Sequence, residues 1–394
     1  MIRYLTSGES HGQGLVGIVE GLPAGIEISS EYINRQLWRR QQGYGRGGRM
    51  RIESDKVEIL SGVRFGKTLG SPIALVVRNK DWANWTDKMS VEGSGSGVEK
   101  ISIPRPGHAD LAGTFKYGFD DLRNVIERAS ARETATRVAL CTIVRKFLET
   151  FDISIGSHVL AIGSAEVRDR LTVDKLIKKL VNSTAGGYKV AEEADKSEVR
   201  ILDQRVAEKA IGAIKSAKKK GDTLGGIFEV IVTGLPTGLG SYVEYDRKLD
   251  GQLAQAIVSI HAVKGVAIGN AFTNSRLFGS EVHDEILLDK NKNLIRPTNR
   301  AGGLEGGVTT GEMIILHGAM KPISTLAKPL RSVDLRTMKV VPSRYERSDV
   351  CAVPACSVIA EAVVAPVLAN AFLEKFGGDS VSEVQKRYKK SKKR

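Results

Sequence analysis

Val19-Glu-Gly-Leu-Pro23-Ala-Gly25 returns in the second half of the chain as Val232-Thr-Gly-Leu-Pro236-Thr-Gly238. Each copy follows a run rich in β-branched residues, Leu15 to Val19 and Ile227 to Val232, which reads as a strand. Each precedes a segment of helical spacing, Glu31–Gln42 and Lys248–Ile260. Each half then closes on a long apolar helix. In the first, Leu122, Val125, Ile126, Ala129, Val138, Leu140, Ile143, Val144, Phe147 and Leu148 recur at helical spacing; in the second, Val358 to Phe376 does the same. One duplicated unit accounts for this pattern. The chain reads as a single domain over 1–378, with halves of about 1–151 and 223–378, a more polar insertion over about 152–222, and a basic C-terminal tail over 379–394 expected to be solvated. Strands joined by short turns, without regular strand–helix alternation, argue for antiparallel sheets. The helix near 120–150 is apolar on more than one face, so it is covered on both sides. The expected fold is α+β: helices sandwiched between antiparallel β-sheets with an internal pseudo-twofold duplication.

Composition narrows the function classes. The chain has 394 residues and a net charge of +14, yet residues 35–51 carry six Arg and residues 386–394 seven Lys/Arg with no acid in either. These two segments hold nearly all the excess, so the body is close to neutral and is not a uniformly basic nucleic-acid binder. Three Cys (141, 351, 356) are too few and too scattered for a disulfide framework. The start, MIRYLTSGESHG, has no apolar signal core, and Glu361, Pro354 and Pro366 interrupt the most apolar stretch, Ala352 to Phe372. The expectation is a cytoplasmic protein off the membrane.

The 42 glycines cluster at GESHGQG (8–14), GYGRGG (43–48), GSGSG (93–97) and AGGLEGGVTTG (301–311). Such loops let backbone N–H groups approach a ligand, although GSGSG reads better as a linker. Two patterns mislead. Gly12-x-Gly14-x-x-Gly17 matches a dinucleotide fingerprint but runs into a strand, where that motif needs a helix. Gly62-Val-Arg-Phe-Gly66-Lys67-Thr68 is one residue short of a P-loop and is also followed by a strand.

Of six histidines, none pairs with another at i,i+4 and no CxxC exists, so no metal site is expected. His11, between Ser10 and Gly12, and His108, between Arg105-Pro-Gly and Asp110, sit in loops where an imidazole can titrate and serve acid–base work. His158 and His317 lie in apolar runs and read as structural. Arg39, Arg40, Arg46, Arg49 and Arg51 crowd one helix end and loop, and Arg105, Arg128, Arg132 and Arg347 stand in other motif-like segments. Guanidinium forks match carboxylates and phosphates at two points. A single such loop inside a folded region favours a small polyanionic ligand; an RNA-binding protein using this loop and the basic tail is the second reading.

Several long motifs in order resemble the chorismate synthase family: GESHGQGLVGIVEGLP (8–23), RRQQGYGRGGRMRIESD (39–55), RPGHAD (105–110), ERASARETATRV (127–138), NRAGGLEGGVTTG (299–311), KPIST (321–325) and RSDVCAVPA (347–355). The resemblance implies conversion of 5-enolpyruvylshikimate 3-phosphate to chorismate and phosphate. Reduced FMN is required although there is no net redox change, and NADPH is a possible reductant. It also implies a homotetramer. By the same resemblance Arg40, Arg46, Arg49, Arg105, Arg132 and Arg347 face substrate, with Ser130 adding a hydroxyl. His11, with Ser10 close by, protonates the departing phosphate, His108 balances protons at the flavin, and Asp349 helps remove the ring proton. Flavin contacts are implied at Arg128, Ala129, Ser130, His261, Ala262, Gly306, Lys321, Pro322, Ile323, Ser324, Thr325 and Arg347. The sequence departs from the commoner family pattern at Ala129, Cys141 and His261, where serine, glycine and asparagine are frequent. Arg40 and Arg46 have an alternative reading as contacts to a nicotinamide phosphate.

Overall fold

The computed structural model describes residues 1–47, 54–182, 185–346 and 348–391. The first repeat runs β1 (Arg3–Ser7), β2 (Gly14–Glu20), α1 (Ser30–Gln41), β3 (Val57–Ile59), β4 (Ile73–Arg78) and α2 (Thr134–Glu149). The second runs β5 (Ser154–Ile162), β6 (Gly226–Thr233), α3 (Leu249–Val258), β7 (Val263–Ile268), β8 (Ile314–Met320) and α4 (Val353–Phe376). Both sheets are antiparallel, in the order β1-β2-β4-β3 and β5-β6-β8-β7, the second with a two-residue strand, Ala165–Glu166, beyond β5. The two orders match member for member. The four helices lie between the sheets, with α2 against α4 at the centre. This is the sandwich the periodicities imply.

The echo is a duplicated clasp. In the first repeat Thr68 Oγ1 donates to Pro23 O (2.7 Å) and accepts from the Ile26 N–H (2.9 Å). In the second, Thr309 Oγ1 donates to Pro236 O (2.7 Å) and accepts from the Leu239 N–H (2.8 Å). The glycine before each leucine is required. A Cβ on Gly21 (φ +81°) would come within 2.3 Å of Met1 O, and one on Gly234 (φ +84°) within 2.2 Å of Asp152 O.

Two boundaries differ from expectation. Residues 152–222 are not wholly an insertion: β5 lies within them, is buried along its length and pairs with β6. The inserted segment is what lies between β5 and β6, with helices Leu171–Val181, Gly186–Asp195 and Gln204–Lys220. The basic tail is not simply solvated either. Residues Val381–Ser391 form a helix (α5) whose Val384 and Tyr388 are buried. Tyr388 packs edge-on to Phe372 and Phe376, with ring centroids 5.2 and 5.0 Å away.

α4 is long and apolar enough to cross a membrane, but most of it is buried inside the protein. Its Glu361 is fully enclosed and meets Arg39 (2.6 Å), Arg145 (2.8 Å), Arg200 (3.0 Å) and the Ser157 hydroxyl (2.6 Å). Burial alone would raise this carboxyl. The three guanidiniums outweigh it and hold the group at about 2.

Candidate active site

The end of α1 brings two helix starts together. Arg40, in its last turn, donates from Nε and Nη2 to the Thr134 hydroxyl at the start of α2 (2.9 and 2.8 Å) and to Ala131 O (2.9 Å). Gly45, just past α1, accepts the Val350 N–H (2.8 Å) ahead of α4. The parallel helices α2 and α4 therefore begin at the same end of the sandwich. Arg40 is wholly buried, and burial, with Arg46 and Arg132 nearby, pushes it down to about 10 against the pull of Asp55 and Asp349. It stays charged at neutral pH. Asp55 also pairs with Arg132, whose Nε donates to Asn79 Oδ1 (2.9 Å). The Asn79 amide in turn donates to Gly12 O (2.7 Å), tying the arginine layer to the His11 loop.

His11 lies over Trp85, centroids 3.9 Å apart and planes 22° from parallel. Its Nδ1 is 2.8 Å from Glu127 Oε2, and its backbone N–H donates to the same oxygen (2.9 Å). Buried Ser10 precedes it, its N–H donating to Glu127 O (3.0 Å).

His108 is built the same way on another loop. Its Nδ1 contacts Asp110, which is completely buried. Burial would raise that carboxyl, but hydrogen bonds and charge from His108 and Arg105 hold it well below the usual carboxylate range. Arg105 directs Nε and Nη2 at Asp110 (2.9 and 3.1 Å), Nη1 at Glu346 (3.1 Å) and Thr325 (3.3 Å), and Nη2 also at the His108 ring. Four of its five donors are thus spent on Asp110, Glu346 and Thr325, and the fifth faces the His108 ring, whose Nδ1 is already turned to Asp110. Asp349 Oδ1 accepts the Gly47 N–H (2.6 Å), and Oδ2 lies 3.1 Å from Arg46 Nη1. Ser348, beside it, donates to Thr325 O (3.1 Å), which joins the 321–325 loop to this group.

Lys321 Nζ donates to Gly107 O (2.7 Å), and its N–H to Ala262 O (2.9 Å). Burial, and then Lys264, lowers the Lys321 ammonium. Pro322, Ile323 and Ser324 complete this loop, with Ile323 O accepting from Thr223 (2.7 Å). His261 is lowered by burial; Arg137, His108 and Arg40 push the same way, and Glu133 opposes them. Its Nδ1 is buried without a partner among the described residues. Ser130 caps the short turn Ala131–Glu133 by accepting the Arg132 N–H (3.3 Å), Ala129 ends the helix before it, and Arg128 donates to Gly8 O (3.1 Å) and Thr6 O (2.9 Å).

Gly306 is not brought to this group. It sits at the exposed turn of the Leu304–Thr309 hairpin, beyond the opposite end of α3 from His261, with Tyr242 nearest. Arg49 and Arg347 lie outside the described residues. Among the described residues no group of His, Cys, Asp and Glu could hold a metal ion.

A family model for chorismate synthase matches residues 2–373. The chain belongs to the chorismate synthase family. Chorismate synthase of Chloroherpeton thalassium is 60% identical over 389 residues, covering 98% of both chains. That of Chlorobaculum tepidum is 57% identical over 389 residues, covering 98% of this chain and 96% of its own. A crystal structure of chorismate synthase matches with a TM-score of 0.78 at 43% identity, covering 99% of this chain and 97% of that one. Members of the chorismate synthase family are lyases of aromatic biosynthesis, and this chain is one.

Sequence reasoning passed over Trp85 and the acids and amides of this chorismate synthase site: Glu127, Asp55, Asn79 and Glu133. Glu127 and Asp55 stand at the edges of quoted motifs, which was the available signal. The RNA-binding alternative finds no support. Arg39, Arg40 and Arg46 turn inward onto carboxylates of the same chain, where an RNA-binding segment would present them to solvent.

Proposed function

We propose that this enzyme converts 5-enolpyruvylshikimate 3-phosphate to chorismate and phosphate by anti-1,4-elimination, with reduced FMN as cofactor. The observation that carries the reading is the meeting of Arg40, Arg46 and Arg132 with two carboxylate-bound histidines at the shared start of α2 and α4. A substrate with two carboxylates and a phosphate needs cations, and its departing phosphate needs a proton.

The residues suit reduced FMN. The Nδ1 of His261, buried with no partner among the described residues, offers a polar contact to a ring edge, and Lys321 and Arg128 supply positive charge to a phosphate. When bound, reduced FMN would supply electron density to the reaction. The protein does the rest. Arg40, Arg46 and Arg132, with Arg49 and Arg347, hold the substrate anions, and Ser130 adds a hydroxyl. His11 Nε2 protonates the leaving phosphate with Ser10 beside it; His108 keeps proton balance on the cofactor side; Asp349 serves removal of the ring proton. Flavin contacts at Ala129, Ala262, Gly306 and Pro322 to Thr325 belong to the same reading. For Gly306 they require a movement of its hairpin or a second subunit.

A homotetramer in the cytoplasm is part of this proposal. Leu5, Val16 and Ile18 stand exposed on the outer face of the first sheet, and Phe272 and Phe278 on the second repeat, as surfaces awaiting subunits do. Sedimentation measures that state directly. NADPH as reductant is tested by its oxidation under anaerobic conditions with FMN. The deciding experiment is anaerobic stopped-flow mixing of enzyme, reduced FMN and substrate. A transient flavin absorbance followed by chorismate and stoichiometric phosphate is expected, and no turnover would end the reading.

A further inference from the structure

We propose that Glu127 is the positioning residue for His11, fixing its ring in the Nδ1–H form so that Nε2 is the nitrogen offered to the leaving phosphate. The proposal rests on the assignment of His11 as the acid.

The grip is two-point. Glu127 Oε2 accepts both the backbone N–H of His11 (2.9 Å) and Nδ1 (2.8 Å), with Oε1 3.1 Å from Nδ1. The carboxylate is 2% exposed. An ionised carboxylate can only accept, so the proton of this pair sits on Nδ1. Residue 127 also takes the Ser10 N–H on its carbonyl (3.0 Å), holding the loop on both sides of the peptide that carries the ring. From the other side Trp85 fixes the ring plane, its indole N–H donating to Asp81 Oδ2 (3.1 Å). Arg123 completes the assembly: one nitrogen is 3.9 Å from Glu127, and its guanidinium lies over Trp85, 5.3 Å from the ring centroid.

This arrangement matters at the moment of transfer. The Nε2–H bond breaks, and the proton goes to the phosphate oxygen that takes the electron pair of the cleaved C–O bond. The ring is left neutral, as the Nδ1–H tautomer, in the same hydrogen bond to Glu127. No reorientation separates the two charge states. Without the carboxylate a neutral ring chooses between tautomers, and one choice withdraws the wrong nitrogen. Asp110 makes the same Nδ1 contact to His108 on a different loop, so this chain builds the device twice.

The test is Glu127→Gln, which keeps the shape but lets an amide N–H face Nδ1. We expect kcat to fall about 10²–10⁴-fold, as loss of the carboxylate behind a catalytic histidine does elsewhere, with KM within about threefold and an unchanged unfolding transition. In ¹⁵N-histidine-labelled enzyme at pH 7, the signal that His11→Ala removes identifies His11. It should report a protonated Nδ1 in the wild type and a shift toward the Nε2–H tautomer in Glu127→Gln. Glu127→Asp, which keeps the charge on a shorter stem, should recover part of kcat. A wild-type kcat in Glu127→Gln, or a lowered kcat with the Nδ1 signal unmoved, overturns the proposal. Failure of the underlying assignment looks different: His11→Ala would turn over normally and Glu127→Gln would keep its kcat while the ring signal still shifted.

Discussion

Arg39 and Arg40 are consecutive on α1 and enter two different clusters. Arg39 turns into the helical layer, where it shares Glu361 with Arg145 and Arg200 and bonds Asp195 (2.6 Å). Arg40 turns toward the start of α2 and the acids Asp55 and Asp349. Successive helix positions differ by about 100°, so adjacent identical residues serve different faces. The Glu361 cluster is closed: the carboxylate spends both oxygens on groups of the protein and meets nothing that could leave. At the Arg40 cluster the paired groups border His11, His108 and His261, whose Nδ1 has no partner among the described residues. Burial is nearly the same in the two places. What separates them is that the second adjoins loop imidazoles partly open to solvent, whereas Glu361 meets only buried groups of the chain.

Substitutions should therefore split cleanly between activity and stability. The largest effect is expected at His11. His11→Ala should slow C–O cleavage about 10²–10⁴-fold, roughly 3–5 kcal/mol of barrier, while the melting temperature stays within a few degrees. Single-turnover absorbance and calorimetry on the same sample check both halves. The mirror image is Glu361→Ala, which strands three buried guanidiniums. It should cost about 3–5 kcal/mol of folding free energy in urea titrations, yet leave kcat per folded molecule near the parent value. A selective loss of kcat there would break the distinction.

Acid should act on the closed cluster in its own window. The folded Glu361 carboxyl is depressed to about 2 from an ordinary 4.5. Its contribution is therefore complete above about pH 4.5 and lost as pH falls toward 2, on the order of 3 kcal/mol. Unfolding midpoints between pH 5 and 2.5 should fall for the wild type and fall less for Glu361→Gln. The smallest effect sharpens the comparison most. Arg40→Ala should weaken substrate binding by about 1.5–3 kcal/mol, whereas Arg39→Ala should destabilise the fold and leave affinity in the surviving protein unchanged. Isothermal titration with each variant separates them.

The repeat was legible because its echo encodes backbone chemistry: a glycine where no Cβ fits, and a proline whose carbonyl a distant threonine hydroxyl needs. β5 was not, because Ser157 and His158 interrupt its apolar run. Their partners, Glu361 and Glu229, come from other elements and do not show in the local pattern. In the tail, lysines and arginines masked Val384 and Tyr388, which sit one helical turn apart and carry the packing. At the candidate site the histidines and arginines stood out by type and by loop context. The acids that orient them did not, since Glu127 is 116 residues from His11 along the chain. Long-range pairing is a property of the fold, and a motif quotes only one side of it.

The shared start of α2 and α4 has an electrostatic consequence. Each helix carries roughly half a positive elementary charge at its N-terminus, and α1, which ends at the same place, carries a pole of the opposite sign at its C-terminus. The helix poles therefore partly offset one another, and an anion there depends on the buried guanidiniums of Arg40 and Arg132 and on the open N–H groups of the two first turns. The attraction is thus carried largely by side chains, and substituting those two arginines would remove most of it.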